Sequence, residues 1–269
     1  MTKPRTFQTE AIIIKKVKLG EADRILTLYT PGWGKIRGVA KGVRRPKSKL
    51  AGHLELLTHS LVSLARGRNL DTVIGSKTLD SFLTVKSDLR LIAYALYAVE
   101  LIDQFTAEHI ENLPLFQLVL EVMRRLCQPG TNDLVLRYFE LHLLDKVGYR
   151  PQFGQCVSCH MPLKPVINLF YPAGGGVLCP DCNQSQSLAY PLPVNALKVL
   201  RLLQSRDYNT AGRLKIDSSL SLRLEWVMRS FITFLLEREL KSTAWLDTFR
   251  GQNNDTQIRS YSSTAVAEA

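Results

Sequence analysis

Short alternations of apolar and polar residues fill the first 80 positions of the chain. Five segments rich in β-branched and apolar residues are separated by turn-forming residues, and they cover residues 11–14, 24–29, 36–43, 54–64 and 70–79. Proline and glycine mark a turn at residues 30–35. Five short strands at this spacing predict a small β-barrel or sandwich at residues 1–80.

Beyond residue 80 the apolar residues follow the helical period. The predicted helices cover residues 88–106, 112–127, 131–148, 193–205 and 218–240. Asn112 is the expected cap of the second helix, and Gly148 is the expected end of the third. These helices predict one helical domain in two parts, residues 81–150 and 188–250. The polar residues 251–269 predict a disordered tail.

Four of the five cysteines lie in residues 151–187, which interrupt the helical pattern with five prolines. They form two Cys-x-x-Cys pairs, Cys156 with Cys159 and Cys179 with Cys182, and 19 residues separate the pairs. Two such pairs can complete a tetrahedral Zn²⁺ site with bonds of about 2.3 Å. Four thiolates leave no open coordination position, so a structural zinc subdomain is predicted.

Other chemistries of these cysteines have weaker support from the sequence. Cys156 to His160 match the haem motif Cys-x-x-Cys-His, but that assignment leaves the second pair unexplained. A redox dithiol or four unrelated reduced cysteines also remain open. His160 is expected to lie at the surface outside the metal shell, and Cys127 is expected to be a small core residue on a helix.

Positive charge is concentrated in the first third of the chain. The formal net charge is +11, and residues 1–80 hold 16 basic and 6 acidic side chains against 19 and 18 in the remainder. A barrel of this size is of the oligonucleotide-binding (OB) or SH3-like type. Seven basic residues are predicted to hold nucleic-acid phosphates, and they are Lys35, Arg37, Lys41, Arg44, Arg45, Lys47 and Lys49. A solvated basic loop without a ligand is the alternative.

Three aromatic residues near this segment could stack on bases or belong to the core: Phe7, Tyr29 and Trp33. The sequence has no phosphate-binding Gly-x-x-x-x-Gly-Lys motif and no recognisable catalytic triad, so no catalytic residue and no enzyme activity is predicted. No apolar stretch approaches ~18 residues, and the first residues lack the apolar core of a signal peptide. A cytoplasmic location without membrane contact is therefore expected.

Two blocks of the N-terminal region resemble a known family. Residues 21–30, EADRILTLYT, and residues 34–49, GKIRGVAKGVRRPKSK, are similar to the opening of the bacterial RecO recombination mediators. The resemblance extends over about residues 5–245 and includes the four-cysteine segment. It implies an α+β fold in which an N-terminal OB-fold barrel is followed by an α-helical domain with an inserted four-cysteine zinc subdomain.

The resemblance also implies a function in DNA repair and homologous recombination. Such proteins bind single- and double-stranded DNA, anneal complementary strands and, with RecR, help to load RecA onto DNA coated by single-strand binding protein (SSB). A nucleoid-associated location in the cytoplasm follows. The acidic SSB C-terminal tail is expected to enter a groove of the helical domain, with rim residues Arg124, Arg125, Arg137 and Lys146. A basic OB-fold RNA-binding or chaperone protein is the alternative.

Overall fold

The computed structural model describes residues 5–130, 133–182 and 189–254. A five-stranded barrel comes first, and a helical body follows that carries a small four-stranded sheet between its two groups of helices. The predicted α+β fold class is confirmed. Within the described ranges, every helix is too short or too polar to span a bilayer.

Five strands close the barrel: β1 (Thr6–Leu19), β2 (Asp23–Thr30), β3 (Gly34–Ala40), β4 (His59–Ala65) and β5 (Asp71–Asp80). Their order is β1-β2-β3-β5-β4, and β4 pairs with β1 to complete the circle. Strands β3 and β5 pair in parallel, whereas the other neighbouring pairs are antiparallel. This connectivity is that of the OB barrel, so the structure decides between the two barrel types that the strand pattern allowed.

Strand β1 is buried on both of its faces at its centre. Ala11 and Ile13 point into the barrel and pack with residues of the four other strands. Ile12 and Ile14 belong instead to the core of the helical body. A strand covered on both sides needs a continuous apolar run, which explains residues 11–14. The strand is 14 residues long because its polar ends continue the pairing beyond that run.

The first group of helices is α1 (Leu83–Lys86), α2 (Leu89–Phe105), α3 (Leu113–Leu126) and α4 (Leu134–Lys146). The Asp88 carboxylate accepts hydrogen bonds from two N–H groups in the first turn of α2. Asn112 does the same for α3, where its side chain accepts from the N–H of Leu115 at 3.0 Å. Gly148 adopts φ +87° just beyond α4. The sequence prediction of these helix ends is confirmed; residues 131–132 lie outside the described residues.

The second group is α5 (Val194–Ser205), α6 (Tyr208–Ala211), α7 (Ser218–Leu236) and α8 (Thr243–Asn254). Helix α7 stops four residues before the predicted end, because Glu237 adopts a left-handed φ of +54°. Helix α8 was not predicted. Its last turn includes residues 251–254, so the predicted start of a disordered tail at residue 251 is wrong. The rest of that tail lies outside the described residues.

A four-stranded sheet forms in the inserted segment: β6 (Gln152–Cys156), β7 (Asn168–Tyr171), β8 (Gly176–Leu178) and β9 (Tyr190–Leu192). The order is β6-β8-β7-β9. Phe153 and Phe170 are fully buried and join the core of the helical body. The sheet extends to Leu192, past the predicted limit at residue 187, and residues 183–188 lie outside the described residues. Strands of three to five residues are too short to show a period in the sequence.

The barrel and the helical body meet along the first half of β3. Residues 108–110, which connect α2 to α3, run beside this strand, and the N–H of His109 donates to the Lys35 carbonyl at 2.9 Å. Gly34 has φ +62°, and a Cβ built on it would lie 1.9 Å from the carbonyl oxygen of Ile110. Only glycine satisfies both the backbone conformation and this close approach. We call this contact the β3 seam.

Candidate nucleic-acid interface and metal centre

Residues 41–49, which we call the basic loop, leave the far end of β3. The Asp23 carboxylate accepts a hydrogen bond from the N–H of Gly42 at 2.7 Å, and the N–H of Arg44 donates to the Ala22 carbonyl at 2.9 Å. The Val43 side chain is buried in the barrel core. These contacts attach the start of the loop to the β1–β2 turn and leave its charged side chains outside.

Five cations of the basic loop are exposed, and they are Lys41, Arg44, Arg45, Lys47 and Lys49. In the part of the chain that the structure describes, none of the five forms an ion pair with a carboxylate. The Arg44 guanidinium donates to the Gly20 carbonyl at 3.2 Å, which holds it over the β1–β2 turn. Cations without acidic partners on one loop create a positive potential that attracts anions.

Lys35 does not belong to this surface, and its prediction as a phosphate ligand is wrong. It is only 8% exposed. Its ammonium donates to the backbone carbonyl of Asp103 at 2.6 Å and to the Asp103 carboxylate at 3.2 Å. A buried ammonium needs such partners, because removing its charge from water is costly. Lys35 therefore ties the barrel to helix α2.

Arg37 lies on the same outer face of β3, and it is exposed. Its guanidinium forms an ion pair with Glu108 at 2.8 Å, and the two side chains are 48% and 42% exposed. Glu108 belongs to the segment that forms the β3 seam. The helical body therefore covers part of the β3 face that the sequence assigned to nucleic acid.

Of the three aromatic residues, Trp33 is exposed and Phe7 is partly buried against the barrel core. Tyr29 is fully buried, and burial raises the pKa of its phenol far above the usual range, so it is a core residue. Phe7 and Trp33 pack with ring centroids 5.1 Å apart. The Arg66 guanidinium lies 4.0 Å from the Phe7 centroid and 4.7 Å from the Trp33 centroid. We call these three residues the aromatic–arginine cluster. Sequence reasoning missed Arg66 because no local pattern connects it to the other two.

The four predicted zinc ligands come together at one end of the small sheet. The Sγ atoms of Cys156, Cys159, Cys179 and Cys182 all lie within 4.8 Å of one another. The Sγ atoms of Cys159 and Cys179 are 3.8 Å apart. Metal–sulfur bonds of about 2.3 Å in a tetrahedron place the sulfur atoms about 3.8 Å apart, so this spacing is compatible with a zinc site.

The electrostatics of the cluster also fit a cation. Burial raises the pKa of the Cys156 thiol, but hydrogen bonds from the N–H groups of Cys159, Cys179 and Ser158 outweigh it and lower that pKa to about 6. The neighbouring thiols of Cys179 and Cys159 raise the pKa of Cys182 to about 12. Four thiolates at this spacing repel one another, and a divalent cation removes the repulsion. The donor set therefore fits Zn²⁺.

The remaining cysteine and the neighbouring histidine lie outside this cluster. Cys127 is partly buried against the helical core, and burial raises the pKa of its thiol. His160 is exposed and has φ +60°; its N–H donates to the Cys156 carbonyl at 3.0 Å. His160 therefore helps to form the turn between two cysteines, but it is not part of the ligand cluster.

The predicted basic rim of a peptide groove is only partly present on the helical body. Arg137 is 2% exposed and forms ion pairs with Glu140 and Glu225, so its prediction as a rim residue is wrong. Arg124 and Arg125 do border a groove of about 300 Å³ between α3 and Asn209. Lys146, at the end of α4, does not line this groove.

A larger cavity of about 1060 Å³ lies between α7, α8 and the small sheet. Its lining combines Trp226 and Phe234 with both signs of charge, including Lys241 and Glu239. Helix α8 forms one wall of this cavity, so the sequence prediction, which lacked that helix, could not include it. Its mixed charges do not select an acidic ligand.

The fold and the cysteine cluster together define a class of proteins in which an OB barrel is joined to a helical domain with a four-cysteine insertion. Comparison with known families agrees with this description. The family model described as "Recombination protein O N terminal" matches residues 1–82, and the one described as "Recombination protein O C terminal" matches residues 86–244.

Relatives of the chain carry the same family name. The chain is 47% identical over 250 residues to "DNA repair protein RecO" of Dehalococcoides mccartyi strain CBDB1. The aligned region covers 93% of this chain and 98% of the relative. It is 42% identical over 262 residues to the protein of that name from Roseiflexus sp. strain RS-1, with 97% and 92% covered. The chain belongs to the RecO family of DNA repair proteins, which confirms the resemblance found in the sequence.

Proposed function

We propose that this protein is a DNA repair and recombination mediator that binds single- and double-stranded DNA through the basic loop. The observation that carries the proposal is the group of five exposed cations on an anchored loop, without acidic partners among the described residues. Membership of the RecO family supports DNA as the ligand. Cations that replace the counterions of phosphates provide affinity without sequence preference.

Arg37 extends the proposed surface toward the helical body. Its ion pair with Glu108 joins two half-exposed side chains and stabilises the fold by only about 0–1 kcal/mol. A DNA phosphate can therefore replace the carboxylate at small cost. Lys35 is excluded because its ammonium is buried and bonded to Asp103.

Strand annealing requires no bond chemistry in this scheme. Two complementary DNA strands repel one another through their phosphates. Cations that neutralise phosphates on one or both strands reduce this repulsion and lower the barrier to pairing. The proposed activity therefore depends on the charge of the basic loop and uses no catalytic residue.

We assign a structural role to the metal centre. Four sulfur atoms would complete the tetrahedral coordination of one Zn²⁺ and leave no position for a substrate. The ion would join two turns, one after β6 and one after β8, and so support a sheet whose strands have only three to five residues.

Family membership also supports the partners expected from the sequence. We propose that the protein acts with RecR in the cytoplasm, at the nucleoid, to load RecA onto DNA coated by SSB. The SSB C-terminal tail is proposed to bind the helical body, where Arg124 and Arg125 border the smaller groove. Arg125 also pairs with Glu121 and Asn209, so Arg124 offers the less engaged guanidinium for an acidic tail.

The salt dependence of DNA affinity tests the proposal. With five phosphate contacts, log K for single-stranded DNA is expected to fall with log salt with a slope of about −3.5. The triple variant Lys41→Glu, Arg44→Glu and Arg45→Glu removes three contacts, so the slope should become shallower by about 2. Fluorescence anisotropy at several salt concentrations measures both quantities.

The control changes the same net charge at a distance from the barrel. The variant Lys198→Glu, Arg213→Glu and Lys215→Glu alters three exposed residues of the helical body. It should retain the salt slope of the unmodified protein. A salt slope that becomes shallower in the control, or one that stays unchanged in the loop variant, would contradict the assignment of DNA binding to the basic loop. Stronger binding of RNA than of DNA of equal sequence would contradict the choice of ligand.

A further inference from the structure

The aromatic–arginine cluster closes one end of the barrel. Phe7 is the second residue of β1, Trp33 lies in the β2–β3 turn, and Arg66 follows the last residue of β4. Their mutual contacts are an aromatic pair and two cation–π contacts. Trp33 is 37% exposed, although the core residues of the same barrel are nearly all inaccessible. A large aromatic side chain with this exposure has a free surface at the end of a barrel.

Hydrogen bonds stabilise the turn that carries Trp33. The Thr30 hydroxyl donates to the Gly34 carbonyl at 2.9 Å and accepts from the N–H of Trp33 at 3.1 Å. Gly34 in turn lies against Ile110 in the β3 seam. These bonds position the backbone of the turn, and the indole itself packs against Phe7 and the Arg66 guanidinium. A side chain positioned in this way loses little conformational entropy on binding.

Arg66 is also fixed in its position. Its guanidinium forms an ion pair with Asp71 at 3.4 Å while it lies over both rings. The backbone N–H of Arg66 donates to the Arg5 carbonyl at 2.9 Å. The guanidinium thus covers one face of the aromatic pair, and the exposed parts of Trp33 (37%) and of the Arg66 side chain (29%) form the remaining planar surface. Arg68 lies exposed in the following turn. Planar, electron-rich groups with a nearby negative charge fit this combination, and nucleobases attached to a phosphate backbone have both features.

We propose that the aromatic–arginine cluster is a stacking site for an unpaired base of single-stranded DNA. This inference rests on the proposed function, because it assumes that DNA binds the barrel. Strand β3 has seven residues, so it separates the Trp33 turn from the basic loop by roughly 20 Å. One OB barrel covers about 4–16 nucleotides, so one strand can reach both sites. A base within a duplex is stacked on its neighbours, so the site selects single strands.

Tryptophan fluorescence provides a direct test. The chain has three tryptophans, Trp33, Trp226 and Trp245. The variant Trp226→Phe with Trp245→Phe keeps Trp33 as its single reporter. An oligothymidylate should quench this fluorescence, whereas a strand of equal length made of abasic nucleotides should bind by charge and quench far less. Equal quenching by both strands, or none by either at concentrations where anisotropy shows binding, would overturn the proposal.

Affinity measurements separate stacking from a merely structural role of Trp33. Trp33→Phe keeps an aromatic face, and Trp33→Leu keeps apolar bulk at the end of the barrel without one. Trp33→Leu should weaken single-stranded DNA binding by roughly ten-fold, leave the salt slope unchanged and leave duplex affinity unchanged. Trp33→Phe should retain most of the affinity. If the two variants bind single strands equally well, the cluster only closes the end of the barrel, and the proposal fails.

The two hypotheses fail in different ways. If the basic loop is not the DNA surface, the charge-reversal variant keeps its salt slope whatever happens at Trp33. If only the stacking site is wrong, the charge-reversal variant shows the expected shallower salt slope, and Trp33→Leu binds single-stranded DNA as tightly as the unmodified protein does. Thermal unfolding of each variant shows whether a loss of affinity reflects loss of fold.

Discussion

The β3 seam allows a quantitative test of how the barrel is joined to the helical body. Gly34→Ala places a methyl group where the Ile110 carbonyl oxygen would be 1.9 Å away, although real contacts of this kind are not shorter than 3.0 Å. The two backbones must therefore separate by more than 1 Å. That movement breaks the hydrogen bond from His109 to the Lys35 carbonyl. The substitution also imposes a φ of +62° on a residue with a side chain.

A matched control isolates the seam from the backbone strain. Gly20, in the β1–β2 turn, has φ +55°, but nothing lies within 4 Å of a Cβ built there. Gly20→Ala should cost about 1 kcal/mol, because the strain of about 1–2 kcal/mol is partly offset by a less flexible unfolded chain. Gly34→Ala adds a lost hydrogen bond of about 1 kcal/mol and overpacking of about 1–3 kcal/mol, so its total should be about 3 kcal/mol or more.

Thermal unfolding followed by circular dichroism measures the difference. For a chain of this size, about 1 kcal/mol corresponds to a shift of about 2–4 °C in Tm. Gly20→Ala is expected to lower Tm by about 2–4 °C and Gly34→Ala by about 6–12 °C. Limited proteolysis should also cleave near residues 108–110 faster in Gly34→Ala alone. Equal Tm values for the two variants would refute the close contact between β3 and this segment.

Three further predictions concern the metal centre and the buried charges. Cys159→Ser should lose bound zinc by elemental analysis and lower Tm, whereas Cys127→Ser should keep the metal, since Cys127 lies outside the cluster. Burial opposes ionisation of Asp103, but two lysines lower the pKa of its carboxyl below the usual value. The stability that the ionised carboxylate contributes is therefore complete at neutral pH and is lost as pH falls below about 4. The difference in Tm between the unmodified protein and Asp103→Asn should shrink in acid. Arg137→Ala should lower the free energy of unfolding by about 3–5 kcal/mol in urea titrations, because it leaves the buried Glu140 without its cation; a loss below 1 kcal/mol would contradict a charged Glu140.

Local features of the fold followed from the sequence because they depend on neighbouring residues. Asp88 and Asn112 cap helices within three residues of themselves, and Gly148 ends one by its own conformation. The cysteine spacing likewise predicted which four sulfur atoms would meet, since each pair forms a single turn. The positive charge of the basic loop remained exposed because a loop of five cations has no way to bury them all.

Other features depended on contacts between distant segments, and those the sequence could not determine. Lys35 has the same charge as the exposed cations of the basic loop, and Arg137 has the same charge as the exposed Arg124. Only the positions of Asp103 and Glu225 in the folded chain decide that Lys35 and Arg137 are buried. Arg66 contacts Phe7 and Trp33 because β4 pairs with β1 in the barrel. The choice between the OB and SH3-like barrels depended on the parallel pairing of β3 with β5. Local conformation is set by the energies of adjacent residues, whereas burial and pairing are set by which segments exclude water together, and that is a property of the whole folded chain.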